Sequence, residues 1–491
     1  MQLGSSTARA VSNGLGWLFA QSLAGRIIAF GSQIILARLL VPQDFGKLAL
    51  AGTVTAVVGA LISFGVDDVL LQRQDRIRFW ITPAFWTSLA MGVSSMLAVC
   101  ISAPLAAAAF RTPELVWMLL IMSLCMPLGT LVTVPTVIMR AELNFRLIAL
   151  LATLELAALQ ILTIFLALLG FGAFSFVIPM PLVAAAKAGV FWGLTRPRFG
   201  PFRKNQFRPM AFQGAAVFGT RLIISIVGQG SYFILGLLAS PSVVGTYYFA
   251  FRLAFMPVNM LAGNVSSVLF PALAQFRDDP GRQHAAAIKA ARGLAFAVMP
   301  YCFLQAAVAE PAIRLIFGQK WLDAIPLIQI LSVGLAFDAV AWIAGTLLSA
   351  RGEFRRSLAY TCWFSPFFFV LVTAGALSGS AIGVAIAVSL YYVLIMPIVS
   401  YIVFRRGKTS LRDMANIYIM PAVIAGLSMS LAYVASRLLP SGDITQIALI
   451  VVAGCGLYVG LVRLLSPATF AELASRFLAV RTSSKLGPAA G

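Results

Sequence analysis

The sequence predicts an all-α integral membrane protein of fourteen transmembrane helices, arranged as two parallel six-helix lobes followed by two C-terminal helices. Three observations carry this. Of the 491 residues, 60% are hydrophobic and 11% are charged, where a soluble domain has about 25% charged. Apolar runs long enough to cross a bilayer, about 20 residues each, recur along the whole chain. Basic residues gather between alternate runs. A water-soluble enzyme is excluded because so few polar residues cannot cover its surface, and disorder because the hydrophobicity is too high.

In chain order the spans are expected near 15–37, 47–71, 81–106, 115–139, 146–169, 172–194 and 211–238, then 244–272, 293–316, 325–350, 358–377, 380–404, 415–437 and 444–465. The polar stretch Met1 to Asn13 leads directly into the first, with no cleavable signal peptide expected. Pro127, Pro135, Pro179, Pro181, Pro257, Pro300, Pro366 and Pro397 interrupt spans, which membrane bundles tolerate because neighbours re-satisfy the freed backbone groups. With a cytoplasmic N-terminus, the inner segments hold 25 Lys and Arg and the outer loops hold 6. That bias recurs loop after loop and places both termini in the cytoplasm. It accounts for the net charge of +20 without a nucleic acid partner.

The expected organisation is an N-terminal lobe over 1–195, a basic cytoplasmic linker over 196–210, a second lobe over 211–404, two further helices over 405–465 and a cytoplasmic tail over 466–491. An internal repeat supports the division. Leu39-Leu40 followed by Pro42 and Gly46 is echoed by Leu237-Leu238 followed by Pro241 and Gly245. Upstream, Arg26-Ile27-Ile28 is echoed by Arg221-Leu222-Ile223, with a gap of four residues needed to align the two. Six helices return the chain to its starting side, so the lobes enter in the same orientation. That is a transporter architecture with its site between the lobes near the midplane.

Several chemistries are excluded. The five cysteines, Cys100, Cys125, Cys302, Cys362 and Cys455, all lie in apolar runs without C-x-x-C spacing, so neither disulfides nor a metal site is expected. The one histidine, His284, leaves no His-based catalytic triad. Gly407-Lys408-Thr409 resembles the end of a phosphate-binding loop, but the upstream glycine is replaced by Ile402, so no ATP site is expected. The outer loops are too short for a catalytic domain, which weighs against a polymerase or a glycosyltransferase.

Ionisable residues at membrane depth are the sharpest functional signal, because an arginine at a helix centre costs about 2.5–3.5 kcal/mol on insertion scales. Arg26 with Ser22 and Gln33, and Arg221 with Ser225, Gln229 and Tyr232, each share a helix face. Each lobe thus offers a polar stripe with an arginine, and a guanidinium suits phosphate oxygens. Lys187 and Arg252 are further candidates for the same cavity. For the acids Glu155 and Asp338 two readings stand open: neutralising nearby basic residues, or binding a coupling proton or sodium ion. No other cofactor is expected.

Gly245 to Leu253 with Pro257 and the segment Val268 to Leu273, together with Ala37 to Leu40 followed by Pro42, Asp44, Phe45 and Gly46, resemble the pattern of Wzx-type polysaccharide flippases. Phe317-Gly318, Lys320-Trp321 and the apolar run Leu327 to Leu331 are a third match. These flippases belong to the multidrug/oligosaccharidyl-lipid/polysaccharide (MOP) exporter superfamily, and the likeness spans roughly residues 14–465. Asp67-Asp68 departs from the pattern, which has small or uncharged residues there. The resemblance implies a MATE-like two-lobed fold and alternating access by lobe rocking. It also implies a substrate, an oligosaccharide repeat unit on undecaprenyl diphosphate, with a polysaccharide polymerase and glycosyltransferases as partners. The rivals are a peptidoglycan lipid flippase, a multidrug antiporter of the same superfamily and, from another class, a non-transporting scaffold for glycosyltransferases.

Overall fold

The computed structural model describes residues 21, 24–60, 77–142, 144–197, 199, 207–438, 442–467 and 471. Among these every regular element is helical. The N-terminal part runs through α1 (24–39), α2 (Pro42–Gly59), α3 (Ile77–Ala109), α4 (Leu115–Ser123), α5 (Cys125–Leu131), α6 (Thr133–Ala141), α7 (Phe145–Leu168), α8 (Phe174–Val177), α9 (Pro179–Thr195) and α10 (Phe207–Leu238). The rest comprises α11 (Pro241–Gln275), α12 (Pro280–Ala312), α13 (Ala324–Leu335), α14 (Asp338–Ala350), α15 (Phe354–Ala376), α16 (Ala381–Phe404), α17 (Leu411–Leu438) and α18 (Asp443–Leu465).

Eleven of the described helical segments are long and apolar enough to cross a membrane, or twelve when α13 and α14, bent by 41°, are counted as one span. These twelve fall on the third to fourteenth expected spans. The first two, 15–37 and 47–71, extend beyond the described residues, as do Asp67 and Asp68.

Proline chemistry explains one interrupted span. Leu115 to Arg140 is one apolar stretch, yet it is broken at Leu124 and at Val132. Pro127 and Pro135 lie three residues beyond these breaks. Each lacks an N–H and its ring crowds the carbonyl four residues back, which falls just before each break. Pro257, Pro271, Pro300, Pro366 and Pro397 instead sit inside continuous helices.

The chain forms two compact units, Met1–Tyr248 and Phe249–Gly491, with the boundary inside α11. In the first unit α2 packs on α3, α4 and α10. The repeated motif meets itself here. A Cβ on Gly46 would stand 1.7 Å from the carbonyl oxygen of Pro241, and one on Gly245 would stand 1.8 Å from that of Pro42. The N-terminal turns of α2 and α11 therefore cross at a distance only glycine permits. Beside them the buried Lys47 is paired with Glu114. Further along, Leu50 lies against Gly236, and Ser225 Oγ donates to the carbonyl of Ala56 at 2.8 Å.

In the second unit α12 is the central helix, packing on α13, α14, α17 and α18. Phe249 stacks on Trp321 at 4.0 Å and meets Phe317 edge-on at 5.0 Å, so two of the motifs singled out above form one packing node. Gly318 between them has φ +87°, a turn that an L side chain rarely adopts. Ser389 packs where a Cβ on Gly334 would fall, and its Oγ donates to the carbonyl of Ile330 at 2.9 Å. The bent pair α13–α14 is thereby fixed to α16.

Candidate functional site

Six of the sequence-predicted residues lie in the first unit. Arg26 and Gln33 sit two turns apart on α1, both half-buried. Gln33 Nε2 is buried and has no hydrogen-bond partner among the described residues. A Cβ on the adjacent Gly25 would meet Leu156 at 3.3 Å, so α1 lies against α7 one residue from Glu155. The side chain of Ser22 lies outside the described residues.

Glu155 on α7 and Lys187 on α9 are brought together, with Nζ to Oε2 at 2.8 Å and about a third of each side chain exposed. Lys187 also stands 5.8 Å from the Phe191 ring centre. The pair lies in an otherwise apolar cleft of about 290 Å³, with Leu151, Leu154, Leu182, Val183 and Val190 around it. An ion pair in such a lining offers two exchangeable partners, a cation for an anionic group and a carboxylate for a cation.

On α10 Arg221 is exposed, Gln229 is half-buried and Tyr232 is buried. Ser225 from the same stripe is the residue docked on α2. Arg252 is exposed on the part of α11 that belongs to the second unit.

Asp338, also in the second unit, opens α14 at the bend. Its Oδ2 accepts a hydrogen bond from Trp342 Nε1 at 2.9 Å, one turn further on. Phe337 beside it stacks on Tyr418 at 5.9 Å with rings 7° apart, and Tyr418 OH is 2.8 Å from Ser400 Oγ. Trp342, outside the sequence-predicted set, is legible as the i+4 neighbour of this half-buried acid.

Gln305 also lies outside that set. Its Nε2 donates to the carbonyl of Leu253 at 2.9 Å, and its Oε1 accepts from Ser332 at 3.3 Å. A lone amide in an apolar helix signals little by itself. Among the described residues no three His, Cys, Asp or Glu side chains are grouped as for a metal.

The sequence pattern of a family described as "Polysaccharide biosynthesis protein" matches residues 35–326, more than half of the chain. The succinoglycan biosynthesis transport protein ExoT of Rhizobium meliloti (strain 1021) is 26% identical over 86% of this chain and 86% of its own length. The lipopolysaccharide biosynthesis protein WzxC of Escherichia coli (strain K12) is 25% identical, covering 74% of this chain and 76% of its own. Among solved structures, the lipid II flippase MurJ in an inward closed conformation matches with a TM-score of 0.74 at 14% identity, covering 91% of this chain and 99% of that one. An inward-facing MATE family multidrug transporter matches with a TM-score of 0.57 at 18% identity, covering 80% and 95%. Similarity at that level of identity establishes the fold, which is MurJ- and MATE-like.

Proposed function

The chain belongs to the polysaccharide biosynthesis protein family, as a Wzx-type flippase of the MOP exporter superfamily, and from that premise we propose that it carries undecaprenyl-diphosphate-linked oligosaccharide repeat units from the cytoplasmic to the outer leaflet for polysaccharide export. The work is alternating access. Fourteen helices in two lobes, with both termini in the cytoplasm of a bacterial inner membrane, rock about a site open to one side at a time. No bond is made or broken. A polymerase would consume the product outside, and glycosyltransferases would supply the substrate inside.

The observation that carries this reading is a set of cationic and amide side chains on helices otherwise built for lipid, Arg26 and Gln33 on α1 and Arg221 and Gln229 on α10. An arginine at such depth is costly, and a phosphate ligand offsets that cost through paired charge-assisted hydrogen bonds. In the proposed cycle Arg26 and Arg221 grip the diphosphate, while Arg252 and Lys187 extend the cationic lining. The polyprenyl tail stays in lipid. Glu155 and Asp338 are the residues on which proton or sodium coupling would act, the first by exchanging Lys187 for a cation, the second at the bend between α13 and α14.

The test uses a deletion strain carrying Arg26→Ala, Arg221→Ala or both, with surface polysaccharide and accumulated lipid-linked sugar measured at equal membrane abundance. Loss of export with accumulation of the lipid-linked unit is expected. Wild-type export from both singles and the double removes these residues from the mechanism. Unchanged lipid-linked sugar levels in the deletion strain itself would favour a scaffold.

A further inference from the structure

We propose that the second unit holds a resident anionic phospholipid, with one acyl chain in the groove between α16 and α17 and its phosphate on the basic turn that joins them. The site is distinct from the residues assigned to the substrate. The groove has a volume of about 550 Å³ and is almost wholly apolar. Its α16 wall is the stripe Val393, Pro397 and Tyr401, spaced four apart so that they share a helix face. Its α17 wall runs from Leu411 through Ala415 and Ile419 to Val423. Phe337, stacked on Tyr418, contributes to the lining beside the bend between α13 and α14.

Length and charge select the occupant. From Leu411 to Val423 a helix rises about 18 Å, close to half of the roughly 30 Å hydrocarbon core. The groove therefore matches a chain entering from one leaflet and ending near the midplane, and is too short for a long polyprenyl tail. At its shallow end the α16 stripe continues, four residues on, into Arg405, and the α17 stripe begins beside Arg412, with Lys408 between them. All three are exposed, and among the described residues none of their side chains has an ion pair. Of the nearby carboxylates, Glu353 pairs with Arg356 and Arg406, and Asp413 accepts from the hydroxyl of Ser410 while sharing the charges of Arg292 and Arg412, so cations outnumber acids around the turn. The rim is thus cationic and complementary to a phosphate.

The rim is also built rather than loose. His284 on α12 bonds Thr409 Oγ1 through Nε2 at 2.8 Å, and its ring lies 2.2 Å from where a Cβ on Gly407 would be. Arg406 bonds Glu353 at 2.8 Å and Tyr360 at 3.0 Å. Lys408 itself turns the chain in the left-handed region at φ +66°. These contacts fix the backbone of the turn that carries Arg405 and Lys408 between the two walls of the groove.

The experiment uses the full chain in detergent, with native mass spectrometry against phosphatidylglycerol and phosphatidylethanolamine of identical acyl chains. A phosphatidylglycerol bearing a photoreactive acyl chain then maps the contact. Retention of phosphatidylglycerol over phosphatidylethanolamine is expected, with labelling on peptides containing Tyr401, Ile419 or Val423. Arg405→Gln, Lys408→Gln and Arg412→Gln should each weaken it about fivefold. Ala422→Trp, which fills the groove and leaves the rim intact, should abolish the labelling. Equal retention of the two lipids, equal retention by the triple variant, or displacement by one equivalent of a polyprenyl phosphate would overturn the proposal. Each outcome is independent of export, so failure of the flippase reading leaves it standing.

Discussion

The crossing of α2 and α11 allows a quantitative test of how closely the first unit is packed. Gly46→Ala adds a Cβ 1.7 Å from the Pro241 carbonyl oxygen and 3.0 Å from the Gly245 nitrogen. Side-chain Cβ atoms do not approach backbone closer than 3.0 Å, so the two turns must separate by about 1.3 Å at least. Backbone on both sides leaves no flexible end to yield. Overpacking of this kind costs about 1–3 kcal/mol, or a shift of about 5- to 150-fold against the closed crossing. Gly52→Ala on the same helix meets nothing within 4 Å and should be neutral or slightly stabilising through helix propensity. The assay is labelling of Leu50→Cys, a residue 1% exposed, by a membrane-impermeant thiol reagent, in a background without the five native cysteines. Gly46→Ala should raise the labelling rate at least fivefold and Gly52→Ala should leave it unchanged. Equal rates in the two variants would refute the geometry.

Three further outcomes are expected. Glu155→Gln or Lys187→Met alone strands one charge at membrane depth, worth about 2.5–3.5 kcal/mol on insertion scales, and should lower membrane abundance. The double variant should restore abundance, and export separates the roles: recovered export marks a structural pair, abolished export a working one. Gly407→Ala drives a methyl into the His284 ring at 2.2 Å and should lower the melting temperature of the purified protein, with partial relief in the His284→Ala background. Burial raises the Glu353 carboxyl, but the hydrogen bond from Arg356 and the charges of Arg356, Arg406 and Arg351 outweigh it and hold it below the ordinary value of 4.5. A depressed carboxylate contributes stability above about pH 4.5, lost as pH falls through its folded value. Wild type should therefore lose melting temperature more steeply below pH 4.5 than Glu353→Gln; parallel curves would count against the clamp.

Much of the helical framework was legible, because hydrophobic run length answers directly to bilayer thickness. Apolarity could not show where a helix breaks. Leu115 to Arg140 reads as one continuous run, while Pro127 and Pro135 divide it, and Pro300 and Pro397 leave their helices whole. Whether a proline breaks a span depends on the neighbours that take up the freed carbonyl, and those are set by tertiary packing. The candidate residues were legible as residue types in apolar runs but not as partners. Glu155 and Lys187 stand 32 positions apart in sequence and only the packing of α7 on α9 makes them a pair. The groove between α16 and α17 left no signal, since its lining is the same apolar residues that face lipid elsewhere.

The duplicated Pro-x-x-x-Gly motif gains a reason from the geometry. Gly46 points at the carbonyl of Pro241 while Gly245 points at that of Pro42. This reciprocal pattern, in which each copy contacts the other's equivalent atom, is that of a two-fold, self-complementary interface. A contact of this kind arises naturally when a sequence is duplicated, because one glycine per copy serves both sides of the crossing. It follows that the two positions share one clearance. Once Gly46→Ala has pushed the turns apart, a second methyl at Gly245 meets backbone that has already withdrawn. The double variant should therefore cost less than the sum of the singles, by a coupling of the size found for residues in direct contact. Strict additivity would mean that each methyl is relieved independently, by bending its own helix, and that the two copies are neighbours without being partners.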